Sequence, residues 1–243
     1  SLFWLAEGEI QFTQHKTALP NYGVFDEKRL FHAGEETGIL NWRDLKLGIF
    51  VCEDMWDDNV TTKVAAEKPD LYISINGSPY ETEKFLRREN TAHNLLKKHA
   101  APLLYINQVG GQDDLVFDGS SFATHADGSK LTRLARFAER TEMISASKAA
   151  SGVVTIESSA TFLEKMSNEE TLYQAATLGL KDYVTKSGFT DVAIALSGGI
   201  DSALTAAIAV DALGADKVHC FYLPSPYSSE ESTEDTKKCA EML

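Results

Sequence analysis

Cysteine is scarce in this sequence: Cys52, Cys220 and Cys239 stand far apart, and no two of them form a CxxC pair. An odd and scattered set argues against a disulfide framework and gives no zinc-ligand spacing, and it fits a reducing cytosol. Basic residues are in deficit as well, with 23 Lys and Arg against 36 Asp and Glu and a formal net charge of -13. No Lys/Arg block offers the footprint of a nucleic-acid binder. Long apolar runs are also missing, since none approaches the ~18 residues that suggest a membrane span. The opening Ser1-Leu2-Phe3-Trp4 has no basic n-region, no long apolar h-region and no small-residue cleavage site, so it does not read as a signal peptide. Internal repeats and low-complexity tracts are absent too.

What is present is an ordinary globular composition, 43% hydrophobic and 24% charged over 243 residues. That length suits one large domain or two small ones. The sequence has no initiator Met, and Lys237 to Leu243 stops inside a helical pattern. A piece of a longer protein is therefore expected.

Short apolar runs alternate with amphipathic stretches through the first hundred residues, the pattern of an α/β domain. Strands are expected over Ile10–Thr13, Leu45–Cys52, Leu71–Ile75 and Leu103–Asn107, and helices over about Asn59–Glu67 and Thr82–His99. Asp127-Gly128, between Phe122 and Thr132, is the strongest hairpin signal. Strands then dominate to about Glu157, and a domain boundary is expected near Leu163, dividing 1–163 from 164–243. Ser167-Asn-Glu-Glu170 matches a capping box, Leu172, Ala176, Leu180 and Val184 follow at helical spacing, and Gly188 is placed to end that helix. Strand Val192–Leu196, a Gly-bearing turn, helix Asp201–Leu213, strand Val218–Leu223, a loop and a last helix then form a βαβα unit of a parallel sheet.

The turn in that unit is Ser197-Gly198-Gly199-Ile200-Asp201-Ser202. Paired glycines let the backbone turn tightly and approach a ligand closely, and N–H groups and hydroxyls at a helix N-terminus form an anion site. Each residue taken alone has a plain structural role as turn, cap or dipole partner. The spacing is neither GxxxxGK[ST] nor GxGxxG. The six together resemble the SGGxDS loop of N-type ATP pyrophosphatases, which transfer AMP from ATP and release pyrophosphate. The resemblance implies an ATP site over Ser197–Ser202. Asp201 is the candidate Mg2+ ligand, because a hard cation prefers carboxylate oxygen and bridges protein to phosphate.

Cys52 ends the run Leu47-Gly-Ile-Phe-Val-Cys and precedes Glu53-Asp54-Met55-Trp56. Local sequence suits a buried inert thiol as well as it suits a nucleophile. The acidic neighbours alone would raise the thiol pKa, so activation needs a cation or base from elsewhere in the fold. Lys16 is the candidate cation, although a lone Lys after a strand is by default a solvated one.

Lys16 through Phe31, Phe50 through Trp56, Asn76 through Tyr80 and Tyr105 through Gly119 together resemble the glutaminase domain of glutamine-dependent NAD+ synthetases, in the nitrilase superfamily. The resemblance implies an αββα sandwich, here partial, followed by the start of a doubly wound parallel-sheet ATP pyrophosphatase domain of the adenine nucleotide alpha hydrolase type. It implies a Glu-Lys-Cys triad with Cys52 as nucleophile and Lys16 holding the oxyanion. The family's general base lies upstream of the Lys, and Glu7 and Glu9 do not match its context. That base is expected before Ser1, and the chain by itself is expected to be inactive. Glu27 is suggestively placed as the additional Glu that hydrogen-bonds the lysine. Tyr22, Phe25, Ser78 and Lys84 match glutamine-pocket positions, and the Gln108-Val-Gly-Gly-Gln string is expected as a loop beside that site.

The resemblance therefore implies a ligase in which glutamine hydrolysis supplies ammonia, and ATP with Mg2+ activates deamido-NAD+ as an adenylate on the way to NAD+. It implies small-molecule substrates, no nucleic acid, no membrane, a cytoplasmic setting and a homo-oligomer in the intact protein. Where many relatives carry Arg, this sequence has Pro226. Two rivals remain. Another ATP pyrophosphatase amidotransferase is disfavoured, because GMP synthetase carries its Cys in a GxCxGxQ-type string and tRNA-modifying enzymes would show a basic face. A catalytically incomplete structural fragment is the second.

Overall fold

The computed structural model describes residues 1–160, 163, 166–224 and 229–243. The chain forms two compact units, Ser1–Val109 with Phe117–Lys165, and Gly110–Val116 with Met166–Leu243.

The first unit begins with a hairpin of β1 (Leu2–Ala6) and β2 (Glu9–Gln14). Its two-residue turn holds Glu7 and Gly8 at φ 54° and 80°, the positive values that match the twist of a tight hairpin. There follow in chain order β3 (Ile39–Trp42), β4 (Leu45–Val51), α1 (Asp58–Ala66), β5 (Leu71–Asn76), α2 (Lys84–Lys98), β6 (Leu103–Asn107), β7 (Val109–Gln112), β8 (Leu115–Asp118), β9 (Phe122–Thr124), β10 (Lys130–Arg133), β11 (Ile144–Lys148) and β12 (Val154–Ser158), of which β7 and β8 carry the segment Gly110–Val116 that belongs to the second unit. A six-stranded sheet has the order β10-β9-β6-β5-β4-β3. Its centre, β4, β5 and β6, is parallel and its outer pairs are antiparallel.

Side-chain alternation divides the sheet's two faces. Phe50, Tyr72, Leu103 and Tyr105 pack with Val64 of α1 and Ala92 and Leu95 of α2. Leu45, Leu47, Ile49 and Leu71 pack instead with Trp4, Phe12, Val154 and Ile156 of the hairpins β1–β2 and β11–β12. The Asp57 carboxylate caps α1 through the N–H groups of Asn59 and Val60. The Asp127-Gly128 hairpin joins β9 to β10, with Gly128 at φ 82° and Asp127 accepting the Ser129 N–H.

Two expectations are corrected here. Strand β4 ends at Val51, and Cys52 opens a short 3-10 turn, Cys52–Met55. The Val-Gly-Gly-Gln segment, expected as a loop, is the strand β7 paired with β8. Its glycines hide the strand from a propensity reading, yet the second unit needs them: a Cβ on Gly111 would lie 3.2 Å from the Gly179 Cα.

The second unit carries α3 (Asn168–Lys186), β13 (Val192–Ala195), α4 (Ile200–Leu213), β14 (Val218–Phe221) and α5 (Glu230–Met242). The Ser167 hydroxyl accepts the Glu170 N–H at the start of α3. At its end Gly188, at φ 79°, donates to Thr185 and Phe189 donates to Val184, the Schellman pattern that satisfies the last carbonyls. Strands β13 and β14 pair in parallel, Val192 opposite Val218, with α4 as the crossover. Buried Ala206, Ala209 and Ala212 keep the inner face of α4 small. No described helix is long and apolar enough to cross a membrane.

Candidate functional site

In the first unit, the carboxyl end of β4 turns sharply. Cys52 sits at φ 52°, a left-handed conformation that costs a non-Gly residue roughly 1–2 kcal/mol. The thiol is partly buried, and burial is the main cause pushing its pKa up; Lys16 and the backbone N–H of Gly77 oppose that, while Glu53 and Glu27 add to it. The resting sulfur is thus a thiol, flanked by a cation and a backbone donor, which are the groups a developing oxyanion needs.

Lys16 lies just beyond β2. Its Nζ donates to both oxygens of Glu27, at 2.6 and 2.7 Å, in a pair whose side chains are 14% and 23% exposed. Lys16, Glu27 and Cys52, far apart in sequence, therefore form one electrostatic cluster. Glu27 directs both of its oxygens to the ammonium.

Tyr22 donates its phenol to Glu53, at 2.9 and 3.1 Å, and contacts the Phe25 ring edge-on at 5.9 Å. Burial, then the bond to Glu53, pushes the Tyr22 pKa up to about 12. Tyr22 and Glu53 help to line a cleft of about 440 Å³ with Thr17, Ala18, Pro20 and Trp56. The Lys84 side chain is 13% exposed and donates to Glu81 at 2.6 Å, which with Arg87 holds the Glu81 carboxyl below its usual range. The charges of Cys52, Glu53 and Glu81 all act on Tyr22, so these groups share one neighbourhood.

Ser78 is 3% exposed. Its N–H donates to Asn107 Oδ1, and its carbonyl accepts from Asn107 Nδ2 and Arg88 Nη2. Arg88, buried with Asp118, also donates to the Ser78 hydroxyl, the Pro79 carbonyl and Asp118 Oδ1 at 2.8 Å, and Arg136 binds the other Asp118 oxygen. This scaffold fixes the Gly77-Ser78 backbone beside Cys52. Sequence reasoning did not single out Arg88, Asn107 or Asp118. Asp118 and Asn107 fell within resembling strings without a role, and nothing local marks Arg88 as buried.

Asp54 was also missed. It is 1% exposed; Oδ1 accepts the N–H groups of Thr17 and Ala18 at 2.8 and 2.7 Å, and Oδ2 accepts that of Val51 at 3.1 Å. In the sequence it counted only as half of an acidic pair beside the thiol.

In the second unit, Ser197–Ser202 spans the turn from β13 into α4. The Ser197 N–H donates to Ser202 Oγ, the two hydroxyls share a bond of 3.1 Å, and Ser202 Oγ donates to the Gly199 carbonyl at 2.9 Å. Gly198 stands at φ 81°, and a Cβ there would lie 2.6 Å from the Ser232 carbonyl of α5, so only glycine fits. Gly199, the N-cap of α4, carries no side-chain cap. The first-turn N–H groups are therefore left for an anion. Ile200 and Asp201 are exposed. Among the described residues no three His, Cys, Asp or Glu gather as a metal site. Asp201 would offer one carboxylate to a Mg2+ at this turn. Pro226 lies outside the described residues.

Residues 2–150 match the family model for carbon-nitrogen hydrolases, and residues 172–243 match that for NAD synthases. The chain is 38% identical over 250 residues to a glutamine-dependent NAD(+) synthetase of Synechocystis, covering 98% of this chain and 44% of that protein. It is 42% identical over 240 residues to one of Rhodobacter capsulatus, covering 98% and 43%. A solved structure of the Acinetobacter baumannii glutamine-dependent NAD+ synthetase, in complex with ADP, aligns at TM-score 0.88 with 38% identity, covering 98% of this chain and 45% of that one. The chain therefore spans under half the length of these relatives.

Proposed function

The chain belongs to the carbon-nitrogen hydrolase family and has its nitrilase-like fold, followed by the start of an NAD synthase domain; from that premise we propose that it is part of a ligase that takes ammonia from glutamine to convert deamido-NAD+ to NAD+. The observation carrying the glutaminase half is the convergence of Lys16, held by Glu27, on a thiol presented at a left-handed turn beside the Gly77 N–H.

In this reading the Cys52 sulfur attacks the glutamine side-chain carbonyl, forming a C–S bond as its proton passes to a general base. Lys16 and the Gly77 N–H stabilise the oxyanion. The C–N bond then breaks, the amide nitrogen leaves as ammonia with that proton, and water cleaves the thioester to glutamate. Burial keeps the thiol protonated at neutral pH, so the step needs the base, and Glu27 is assigned to holding Lys16 rather than to that task. Tyr22, Phe25, Ser78 and Lys84 are proposed to shape the glutamine pocket. Glu53, next to the nucleophile and fixed by Tyr22, supplies a carboxylate for a substrate ammonium.

The second half is proposed to bind ATP at Ser197, Gly198, Gly199, Ile200, Asp201 and Ser202, with phosphate on the α4 N-terminus. Asp201 would hold Mg2+, which when bound neutralises phosphate charge and helps the pyrophosphate to leave. A carboxylate is a poor acyl donor until its oxygen becomes a leaving group, and adenylation of deamido-NAD+ supplies one. Ammonia then displaces AMP. The proposed domain division is 1–163 and 164–243, and the proposed setting is cytoplasmic, with homo-oligomers of the intact protein, no nucleic-acid partner and no membrane.

The test of the ATP half is exchange of labelled pyrophosphate into ATP, dependent on deamido-NAD+, in the full-length protein. Asp201→Ala and Gly198→Ala should both suppress it at least tenfold while glutamine hydrolysis persists. Undiminished exchange in both would refute the assignment of this loop.

A further inference from the structure

One carboxylate ties together the two segments that carry the proposed nucleophile and cation. Asp54 follows Cys52 by two residues, and its Oδ2 accepts the N–H of Val51, on the other side of Cys52. That bond alone would be local support for a turn. Its Oδ1, however, accepts the N–H groups of Thr17 and Ala18, the residues directly after Lys16, from 37 and 36 positions away.

We propose that Asp54 is a positioning residue: its buried carboxylate clamps the chain after Lys16 to the turn at Cys52 and so sets the ammonium against the sulfur. This rests on the reading of Cys52 and Lys16 as nucleophile and oxyanion partner.

Burying a carboxylate costs several kcal/mol unless hydrogen bonds answer it. Here three backbone N–H groups and, less strongly, the charge of Lys16 oppose that cost, while burial stays the largest influence and raises the Asp54 pKa; the Lys16 ammonium itself donates to Glu27. A carboxylate is suited to the task because both of its oxygens only accept. An asparagine of the same shape must turn its NH2 either toward Val51 or toward Thr17 and Ala18, donor against donor, and one half of the clamp opens.

The sign of one measurement separates clamping from plain charge. Removing a nearby negative charge should by itself lower the Cys52 thiol pKa. Releasing Lys16 should raise it, because Lys16 is the largest influence holding it down. The other groups interacting with the sulfur, Glu53, Glu27, the Gly77 N–H and the phenols of Tyr22 and Tyr105, remain in each variant.

The experiment is the pH dependence of Cys52 alkylation by iodoacetamide in the 243-residue chain, read on the Cys52 peptide by mass spectrometry so that Cys220 and Cys239 do not contribute. For Asp54→Asn the midpoint should rise by about one pH unit, a roughly tenfold loss of rate below it. Asp54→Glu keeps the charge but displaces the carboxylate, and should shift the midpoint in the same direction. In a Lys16→Met background neither substitution should raise the midpoint: Asp54→Glu should leave it in place, and Asp54→Asn should show only the fall that follows from losing a negative charge. A midpoint that falls or stays put in the folded Asp54 variants overturns the clamp, as does an undiminished rise in the Lys16→Met background. If Lys16→Met alone leaves the midpoint unmoved, the pairing of Lys16 with Cys52 fails, and with it the reading beneath the clamp. Amide exchange in the unsubstituted chain adds a readout that no folding defect can obscure: Thr17, Ala18 and Val51 should all be protected, and fast exchange at Thr17 and Ala18 overturns the proposal.

Discussion

Lys16 and Glu27 form a bidentate pair, with the ammonium 2.6 and 2.7 Å from the two carboxylate oxygens. Both groups are largely shielded from water, so the pair is stronger than a surface ion pair and its geometry is better defined. An ammonium so held can meet an oxyanion without reorganising.

Glu27→Gln should therefore weaken that preorganisation. Glutamine hydrolysis by the full-length protein should fall by about 10²-fold or more, in the range seen for losing one oxyanion donor. The fall should be in kcat more than in KM, since the lysine acts on charge that develops in the transition state. Steady-state kinetics check this, and a pure KM effect would count against it.

Arg88 and Asp118 are both about 1% exposed. Arg88→Met should leave Asp118 with Arg136 as its cation and strip three donors from the Ser78-Pro79 backbone and hydroxyl. Breaking a buried pair of this kind costs about 3 kcal/mol or more. Urea unfolding of the chain should show a lower midpoint with an unchanged slope.

Alkaline pH should destabilise the first unit. Burial raises the pKa of Cys52, Tyr72 and Tyr105, and the Tyr22 phenol is pushed up to about 12. Between the ordinary and the raised values the folded chain holds more protons than the unfolded one, so stability falls as pH rises through that window. It should be fully retained below pH about 8.5, where an ordinary thiol begins to titrate. Urea midpoints should be flat from neutral pH to that point and decline above it, with tyrosinate absorbance rising as the chain unfolds.

Much of this was legible in the sequence, and the boundary has physical causes. Periodicity located β5 and α2, and the turn chemistry of Asp127-Gly128 and Gly188 set a hairpin and a helix end, because those signals are local. The glycines of Val109–Gln112 concealed a strand whose composition answers to the close approach of Gly179. The order of Lys16, Cys52 and the Ser197–Ser202 loop suggested the chemistry. The positive φ at Cys52 and the reach of Asp54 across 36 residues were not legible, since long-range contacts leave no mark in local pattern.

The central claim is a division of labour between a thiol that releases ammonia and a phosphate loop that activates the acceptor. It is tested most directly by NAD+ formation from deamido-NAD+ and ATP in the full-length protein, once with saturating glutamine and once with saturating ammonium. Cys52→Ala should abolish synthesis from glutamine and leave synthesis from ammonium largely intact, because removing one sulfur atom does not touch the Ser197–Ser202 loop. Equal loss with both nitrogen sources, in a protein that remains folded, would contradict the account and make Cys52 a structural residue.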